Sequence, residues 1–191
     1  VATGMSRGER IDKLRMLVER MVRVLGEENV VTLETLHLLG TTLQQNGELE
    51  EARKVYERCL AGQEKVLGED HKQTLRTVMN LGIVYNTLKD YEKALEYYER
   101  ALKGKEKTLG KTHPETLMTV MNIANVYMDG LKDYGQAEEL YQRALEGYEA
   151  LGLGSRITSS VSSVLSSVLR SVLSSVLSSV LSSVLSSVLS S

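Results

Sequence analysis

Three histidines and one cysteine are the side chains of this sequence best able to bind a metal or attack a substrate. His71 and His113 lie 42 residues apart and occupy the same place in two similar stretches. Neither has further ligands close by, and a zinc site needs four that converge, so loop packing or helix capping is the better interpretation. His37 is interpreted as a surface or contact residue. Cys59 lies at a small apolar position, which favours a place in the core. We predict no catalytic residue, no metal site and no cofactor.

A short glycine and lysine pattern superficially resembles a phosphate-binding loop. Five residues separate Gly104 from Gly110, whereas the motif has four between its glycines. A helix is predicted before this stretch, and the motif requires a strand there. The sequence therefore predicts no nucleotide site, and we expect no enzymatic activity.

The charge and cysteine content exclude several classes of protein. The chain of 191 residues has 23 basic and 25 acidic residues, so it lacks the excess of positive charge typical of proteins that bind nucleic acid. A single cysteine excludes an internal disulfide framework and fits a reducing compartment, so we expect a cytoplasmic protein. The sequence begins with Val1, and no basic and then apolar leader follows it. We expect a fragment or an incomplete gene model without a secretory signal.

An internal repeat of 42 residues organises most of the chain. Thr-Leu-Glu-Thr at 32–35 recurs as Thr-Leu-Arg-Thr at 74–77 and as Thr-Leu-Met-Thr at 116–119. The third copy has one extra residue near Gly130, so its second helix runs one position late. We predict a leading partial repeat (second helix only) over 1–31, repeats over 32–73, 74–115 and 116–152, and a low-complexity tail over 153–191.

Each repeat has the pattern of two helices, shown best by the second copy. Apolar and small residues recur at helical spacing over 74–88 and again from Tyr91 to Thr108. Gly82 is predicted to be small so that two helices approach closely. Thr74 and Thr116 are expected to cap the first helices with their hydroxyl groups. The sequence therefore predicts an all-α protein of stacked helix hairpins.

The same residues resemble a known repeat family. The 42-residue spacing, the stretch Thr-Leu-Arg-Thr-Val-Met-Asn-Leu-Gly-Ile-Val-Tyr at 74–85 and the linker Leu-Gly-Lys-Thr-His-Pro-Glu-Thr-Leu at 109–117 resemble tetratricopeptide repeats of the kinesin-light-chain type, over about residues 8–150. The resemblance implies a right-handed superhelical solenoid that serves as a protein-interaction scaffold or adaptor. The motor adaptor of that family also has a heptad coiled coil, which nothing in this sequence resembles. An alternative is a regulatory repeat segment of a larger signalling protein or enzyme, with no catalysis of its own.

The first helices of such repeats line a concave surface, and the helical period predicts which side chains face it. At about 100° per residue, one stripe of each first helix lies opposite its packing residues. The predicted peptide-binding groove consists of Glu34, Leu38, Thr41, Gln45, Arg76, Asn80, Ile83, Thr87, Met118, Asn122, Asn125 and Asp129. The resemblance implies that Asn80 and Asn122 hold the backbone of an extended peptide, a place that Leu38 takes in the first repeat. The alternative is that all of these are solvated surface residues.

The charge of the predicted groove is mixed, because Arg76 is opposed by Glu34 and Asp129. A preference for acidic peptides is therefore weakly supported. We expect a protein or peptide partner of unknown identity, no nucleic acid and no membrane, and the sequence gives no oligomeric state.

From Ser159 onward the chain repeats Ser-Ser-Val-Leu, interrupted by Arg170. A period of four suits neither a helix with one apolar face nor a strand with one apolar face. A disordered low-complexity extension is the favoured interpretation. The alternatives are a membrane-seeking segment and a β-pairing segment. The first is less favoured, because half of the residues are polar.

Overall fold

The computed structural model describes residues 6–152, and the predicted Ser/Val/Leu tail lies outside the described residues. Within 6–152 there are seven α-helices and no strand, which confirms the predicted all-α class. The helices are α1 (Arg7–Leu25), α2 (Val30–Asn46), α3 (Leu49–Leu67), α4 (Lys72–Thr87), α5 (Tyr91–Leu109), α6 (Pro114–Asn125) and α7 (Tyr134–Ala150), with a π-helical segment (Val126–Leu131) after α6.

The described residues fall into two compact units. The first unit, up to Gly110, contains α1 to α5. Each of its helices packs against the next one along the chain, and α2 also contacts α4. The second unit, from Lys111, contains α6, the π-helical segment and α7, which pack together as one hairpin. The helices thus form sequence-adjacent pairs, and the predicted repeat boundaries themselves stay a prediction.

The first helix of each hairpin is capped by the residue before it. The side chain of Asn29 accepts from the amide of Val31 at 2.9 Å, while His71 Nδ1 and His113 Nδ1 each accept from an amide two residues on, at 3.2 Å. The three caps are 42 residues apart, so the capping interpretation of the two histidines is confirmed. The prediction that Thr74 and Thr116 are N-caps was wrong. Both threonines lie inside their helices and are fully buried.

The extra residue of the third copy is accommodated by the π-helical segment, whose wider turns take up an insertion without ending the helix. Lys132, which follows it, has a φ of 59°. The equivalent turns of the earlier hairpins hold Lys89 at a φ of 65° and Gly47 at 86°. Two lysines therefore occupy the left-handed conformation that glycine adopts most easily.

Tyrosine rings pack against glycines at two equivalent contacts between paired helices. A Cβ built at Gly40 would lie 2.7 Å from the Tyr56 ring, and one at Gly82 would lie 2.5 Å from the Tyr98 ring. A second set of contacts joins leucines of the first helices to glycines of the second: Leu33 with Gly62, Leu75 with Gly104 and Leu117 with Gly147. Gly82 is therefore small to admit a tyrosine ring, which explains the close approach predicted from the sequence.

Ion pairs connect neighbouring helices of the first unit at the surface. Arg15 of α1 lies 3.0 Å from a carboxylate oxygen of Glu48 and 2.7 Å from one of Glu51, at the start of α3. Further pairs join Arg58 to Glu27, Lys65 to Glu28, Arg100 to Glu64 and Lys107 to Asp70. Because these pairs are exposed or partly exposed to solvent, each contributes little to the stability of the fold.

Candidate functional site

In the first unit, α2 and α4 lie side by side and place the predicted groove residues on a common open face. The residues of the stripe are all at least partly exposed: Glu34, Leu38, Thr41, Gln45, Arg76, Asn80, Ile83 and Thr87. The packing positions of α4 at 78, 81, 82 and 85 are all buried. The packing residues predicted for α4 are therefore buried, and the predicted groove residues of α2 and α4 are at least partly exposed. Peptide binding on the open side stays a prediction.

Asn80 is held by two contacts on this open face. Its Nδ2 lies 3.2 Å from Nε2 of His37 on α2 and 3.1 Å from the hydroxyl oxygen of Tyr56 on α3. Both contacts use the amide nitrogen, and neither uses Oδ1. The half-buried Asn80 side chain is therefore held in one orientation by two other helices.

The hydroxyl of Tyr56 extends this network into α2. It lies 3.0 Å from Thr41 Oγ1 and 3.0 Å from Gln44 Oε1. Thr41 in turn donates its hydroxyl hydrogen to the carbonyl of His37 at 2.9 Å. Burial raises the pKa of Tyr56, so the phenol stays protonated and can donate. Three helices thus share one hydrogen-bonded cluster beneath the open face.

His37 belongs to this cluster, and of the two interpretations, surface residue or contact residue, the structure excludes the first. Only 8% of the residue is exposed, because its ring packs edge-on against the ring of Tyr56 with centroids 5.6 Å apart. Burial, helped by the nearby charge of Arg76, lowers the pKa of His37 to about 4. A neutral imidazole with its proton on Nδ1 can accept from Asn80, which explains the contact. No period in the sequence indicated that His37 and Asn80, which are 43 residues apart, would meet.

The charges of the open face are mixed, as predicted for the first unit. Arg76 and Glu34 are both exposed. Glu34 Oε1 accepts a hydrogen bond from Gln73 Nε2 at 2.9 Å, which joins the two first helices across the face. The face therefore offers both a cation and an anion to a ligand.

In the second unit, α6 and the π-helical segment carry the remaining predicted groove residues. Met118 is 51% exposed, Asn122 is half-buried and Asp129 is exposed. Asn125 accepts a hydrogen bond from the hydroxyl of Tyr141 on α7, so its Oδ1 already has a donor within the hairpin. The sequence did not predict this role for Asn125.

Cys59 lies fully buried, with its Sγ 3.2 Å from the carbonyl oxygen of Leu33. Burial raises the pKa of the Cys59 thiol to about 11, so the reactive thiolate is scarce at neutral pH. The prediction of a core cysteine is confirmed. Among the described residues no group of three or more His, Cys, Asp or Glu side chains could hold a metal ion. None of the helices within 6–152 has the length and apolarity of a membrane span.

The sequence matches the family model for the tetratricopeptide repeat over residues 14–65, 31–107 and 78–150. These matches cover well over half of the chain. The chain belongs to the tetratricopeptide repeat family. No curated protein matches the sequence.

Solved structures of similar fold include kinesin-light-chain-like repeat proteins, the type that the sequence resembles. BtubC (BKLC) from P. vanneervenii has a TM-score of 0.70 at 22% identity, over 76% of this chain and 58% of that one. A putative kinesin light chain from Podosopora anserina, with nearly identical TPR-like repeats, has a TM-score of 0.68 at 22% identity, over 86% of this chain and 89% of that one. The apo form of RapI has a TM-score of 0.64 at 20% identity, over 76% of this chain and 51% of that one. The chain thus spans less than two thirds of BtubC and of RapI.

Proposed function

We propose that this chain is a protein-interaction scaffold that binds an extended peptide segment of a partner on the open face of α2 and α4. Tetratricopeptide repeats generally serve as scaffolds for protein interaction, and the repeat fold is typically not catalytic. Binding of a peptide on this particular face is supported by the arrangement of one residue, Asn80.

The Asn80 side chain is oriented before any ligand arrives. Its amide nitrogen donates to His37 and Tyr56, which leaves the carbonyl oxygen Oδ1 as the group to accept from a peptide N–H. Because the side chain is already fixed, binding a peptide costs little further rotamer entropy at this position. The family resemblance implies that Asn80 holds the backbone of a peptide, and we now propose that its Oδ1 does so as an acceptor.

Apolar and charged neighbours of Asn80 would select the side chains of the peptide. Leu38 is 52% exposed and Ile83 is partly exposed, so both can cover apolar side chains of a ligand. Arg76 and Glu34 lie on the same face and favour a ligand with both charges over a purely acidic one. In the second unit, Asn122 occupies the place equivalent to Asn80, and we propose the same role for it.

A peptide-array screen tests this proposal. Overlapping peptides from a proteome would be probed with the full chain and with the Asn80→Ala/Asn122→Ala double variant. A matched control is Glu99→Ala/Lys103→Ala, two exposed positions of α5. We expect a set of peptides that the unchanged chain and the control variant bind and the asparagine variant does not. Equal binding by all three proteins would contradict the proposed peptide-binding groove. The cytoplasmic location expected from the sequence stays a prediction.

A further inference from the structure

The open face of the first unit carries two opposite charges that are not paired with each other. Glu34 of α2 and Arg76 of α4 are 42 residues apart, so they occupy equivalent positions on neighbouring first helices, and both are exposed. Within 6–152 neither side chain belongs to an ion pair. Glu34 Oε1 instead accepts a hydrogen bond from the neutral amide of Gln73, at 2.9 Å. The face therefore keeps one full negative and one full positive charge available to a ligand.

Elsewhere in the first unit, opposite charges of different elements do pair. Arg58 forms an ion pair with Glu27, and Lys107 forms one with Asp70. These side chains are exposed or partly exposed, like those of the open face, and they still reach each other. Two charges that stay separate on adjacent helices are therefore a particular feature of the open face, and a ligand of complementary charge can neutralise both.

An apolar side chain and a backbone acceptor lie one helical turn further along the same two helices. Leu38 follows Glu34 by four residues and is 52% exposed, and Asn80 follows Arg76 by four residues with its Oδ1 free. Burial and the charge of Arg76 together lower the pKa of His37 on α2, so Arg76 lies near enough to α2 to act on it. A peptide that crosses from α2 to α4 thus meets an anion and a leucine first, and then a cation and an amide oxygen.

The distance between the two helices decides how far apart the charges of such a peptide must be. The axes of packed helices lie about 8 to 10 Å apart, and equivalent positions on them are separated by a similar distance. A polyproline II chain rises about 3.1 Å per residue and has three residues per turn, so every third side chain faces the same side, about 9 Å further on. In a β-strand, by contrast, side chains three residues apart point to opposite sides. The polyproline II conformation therefore matches the spacing of the two charges.

We propose that the open face selects an extended peptide of polyproline II conformation, in which a basic and an acidic side chain lie three residues apart with an apolar residue between them. The basic side chain pairs with Glu34, the acidic one with Arg76, and the apolar one covers Leu38. A backbone N–H of the same peptide donates to Oδ1 of Asn80. This proposal rests on the groove proposed above and adds the charges, the spacing and the conformation of its ligand. A purely acidic peptide is disfavoured, because Glu34 repels it.

A displayed library of random peptides tests the proposal without a known partner. Peptides of roughly ten residues, about three turns of polyproline II, would be selected on the full chain and on the Asn80→Ala/Asn122→Ala variant, and then sequenced. We expect the full chain to enrich peptides with opposite charges three residues apart, and the asparagine variant to enrich none of these. Peptides that depend on the asparagines but lack the charge pair would overturn this proposal and leave the groove standing. The absence of any peptide that depends on the asparagines would contradict the groove itself.

Exchanging the two charges gives a sharper test. The Glu34→Arg/Arg76→Glu variant keeps the net charge and reverses both charges of the open face. Because a peptide chain has a direction, the full chain should prefer one order of the basic and the acidic residue, and the exchanged variant should prefer the other order. The matched control is Glu99→Lys/Lys103→Glu, which exchanges two exposed charges of α5 and should keep the original order.

Fluorescence anisotropy on one enriched peptide gives the size of the effect. The exchanged variant, shown by circular dichroism to be folded, should bind this peptide about fivefold more weakly than the full chain. The same peptide with its two charges exchanged should recover most of that affinity. Added salt should reduce the difference, because the pairs are exposed and are screened. One residue inserted between the two charges should weaken binding to the full chain, because it breaks the match to the helix spacing.

Three results would overturn the proposal. The first is the same preferred order of charges for the full chain and the exchanged variant. The second is an unchanged affinity of the full chain for the peptide with the inserted residue. The third is enrichment of purely acidic peptides by the full chain in place of peptides with both charges.

Discussion

Asn80 Nδ2 lies 3.1 Å from the hydroxyl oxygen of Tyr56, a residue of the preceding hairpin. The residue proposed to hold the peptide backbone is therefore itself held by its neighbour. Packing between hairpins, which a repeat protein needs for stability, here also orients the residue that we propose binds the peptide. A change in Tyr56 should therefore alter the affinity for a peptide that Tyr56 itself does not contact.

Tyr56→Phe tests this dependence. The change removes the hydroxyl that positions Asn80, and we expect peptide affinity to fall by roughly threefold to tenfold while the free energy of unfolding falls by about 1 kcal/mol. Tyr85→Phe is the control, since it removes a tyrosine hydroxyl whose hydrogen bond, to Glu57 at 2.8 Å, does not involve Asn80. The control should lose similar stability but keep its affinity. Equal affinities of the two variants in a titration would show that the Tyr56 hydroxyl does not position Asn80.

Acid should destabilise the first unit through His37. Burial lowers the pKa of His37 to about 4, below the ordinary value of 6.5, so the unfolded chain binds the proton more readily than the folded one. The stability that depends on the neutral ring is complete above pH 6.5 and is lost as the pH falls toward 4, by up to about 3 kcal/mol. Denaturant titrations of the unchanged chain and of His37→Gln measure this. The stability advantage of the unchanged chain should shrink between about pH 7 and about pH 4.5, and an advantage that grows would contradict the assignment.

Gly82→Ala should destabilise the protein. The added Cβ would meet the Tyr98 ring at 2.5 Å, and this ring is only 2% exposed and cannot move aside freely. We expect a loss of about 1 to 3 kcal/mol in the free energy of unfolding. Gly8→Ala is the matched change, because nothing lies within 4 Å of its added Cβ in α1. That variant should be neutral or slightly more stable in the same thermal melts. Equal melting temperatures for the two variants would refute the packing argument.

Lys89→Gly should stabilise the turn between α4 and α5. Lys89 has a φ of 65°, where a side chain costs about 1 kcal/mol and glycine costs nothing sterically. Gly47 already occupies the equivalent turn of the preceding hairpin at a φ of 86°. We expect a gain of up to about 1 kcal/mol, reduced by the greater entropy of glycine in the unfolded chain. Lys103→Gly, inside α5, removes the same side chain and should lose about 1 kcal/mol. A loss of stability in both variants would show that the turn is unstrained.

The sequence predicts the hairpins well, because the 42-residue period and the helical period are both local signals. Helices are predicted over 74–88 and 91–108, and α4 and α5 span 72–87 and 91–109. The prediction of Thr74 as an N-cap was wrong, because His71 rather than Thr74 forms the cap of α4. Threonine is the better N-cap by propensity, but the fold buries its side chain at this position. Asn29, at the equivalent place of the first copy, was the available signal for the true cap.

The polar cluster beneath the open face could not be predicted in the same way. His37, Tyr56 and Asn80 come from three different helices, and only the tyrosine recurs in every repeat. The position of His37 holds Met79 in the next repeat, and the position of Asn80 holds Leu38 in the preceding one. Contacts of this kind depend on how one hairpin sits on the next, which a periodic pattern does not encode.

The contacts between leucines and glycines of paired helices also escaped prediction. Their signal was present, because Gly62, Gly104 and Gly147 recur after 42 and then 43 residues, in step with the repeat and its one insertion. A glycine inside a helix costs stability, so its recurrence there indicates a close neighbour. The period alone does not say which residue that neighbour is.

Site-specific photo-crosslinking tests the central claim most directly. A photoreactive amino acid would be placed at Thr87, on the open face of α4, or at Glu99, on the exposed side of α5. Each full-length protein would then be irradiated with a peptide selected from the array. A peptide bound on the open face should crosslink from position 87 and not from position 99. Crosslinks from position 99 alone, or equal yields from both positions, would contradict the proposed groove.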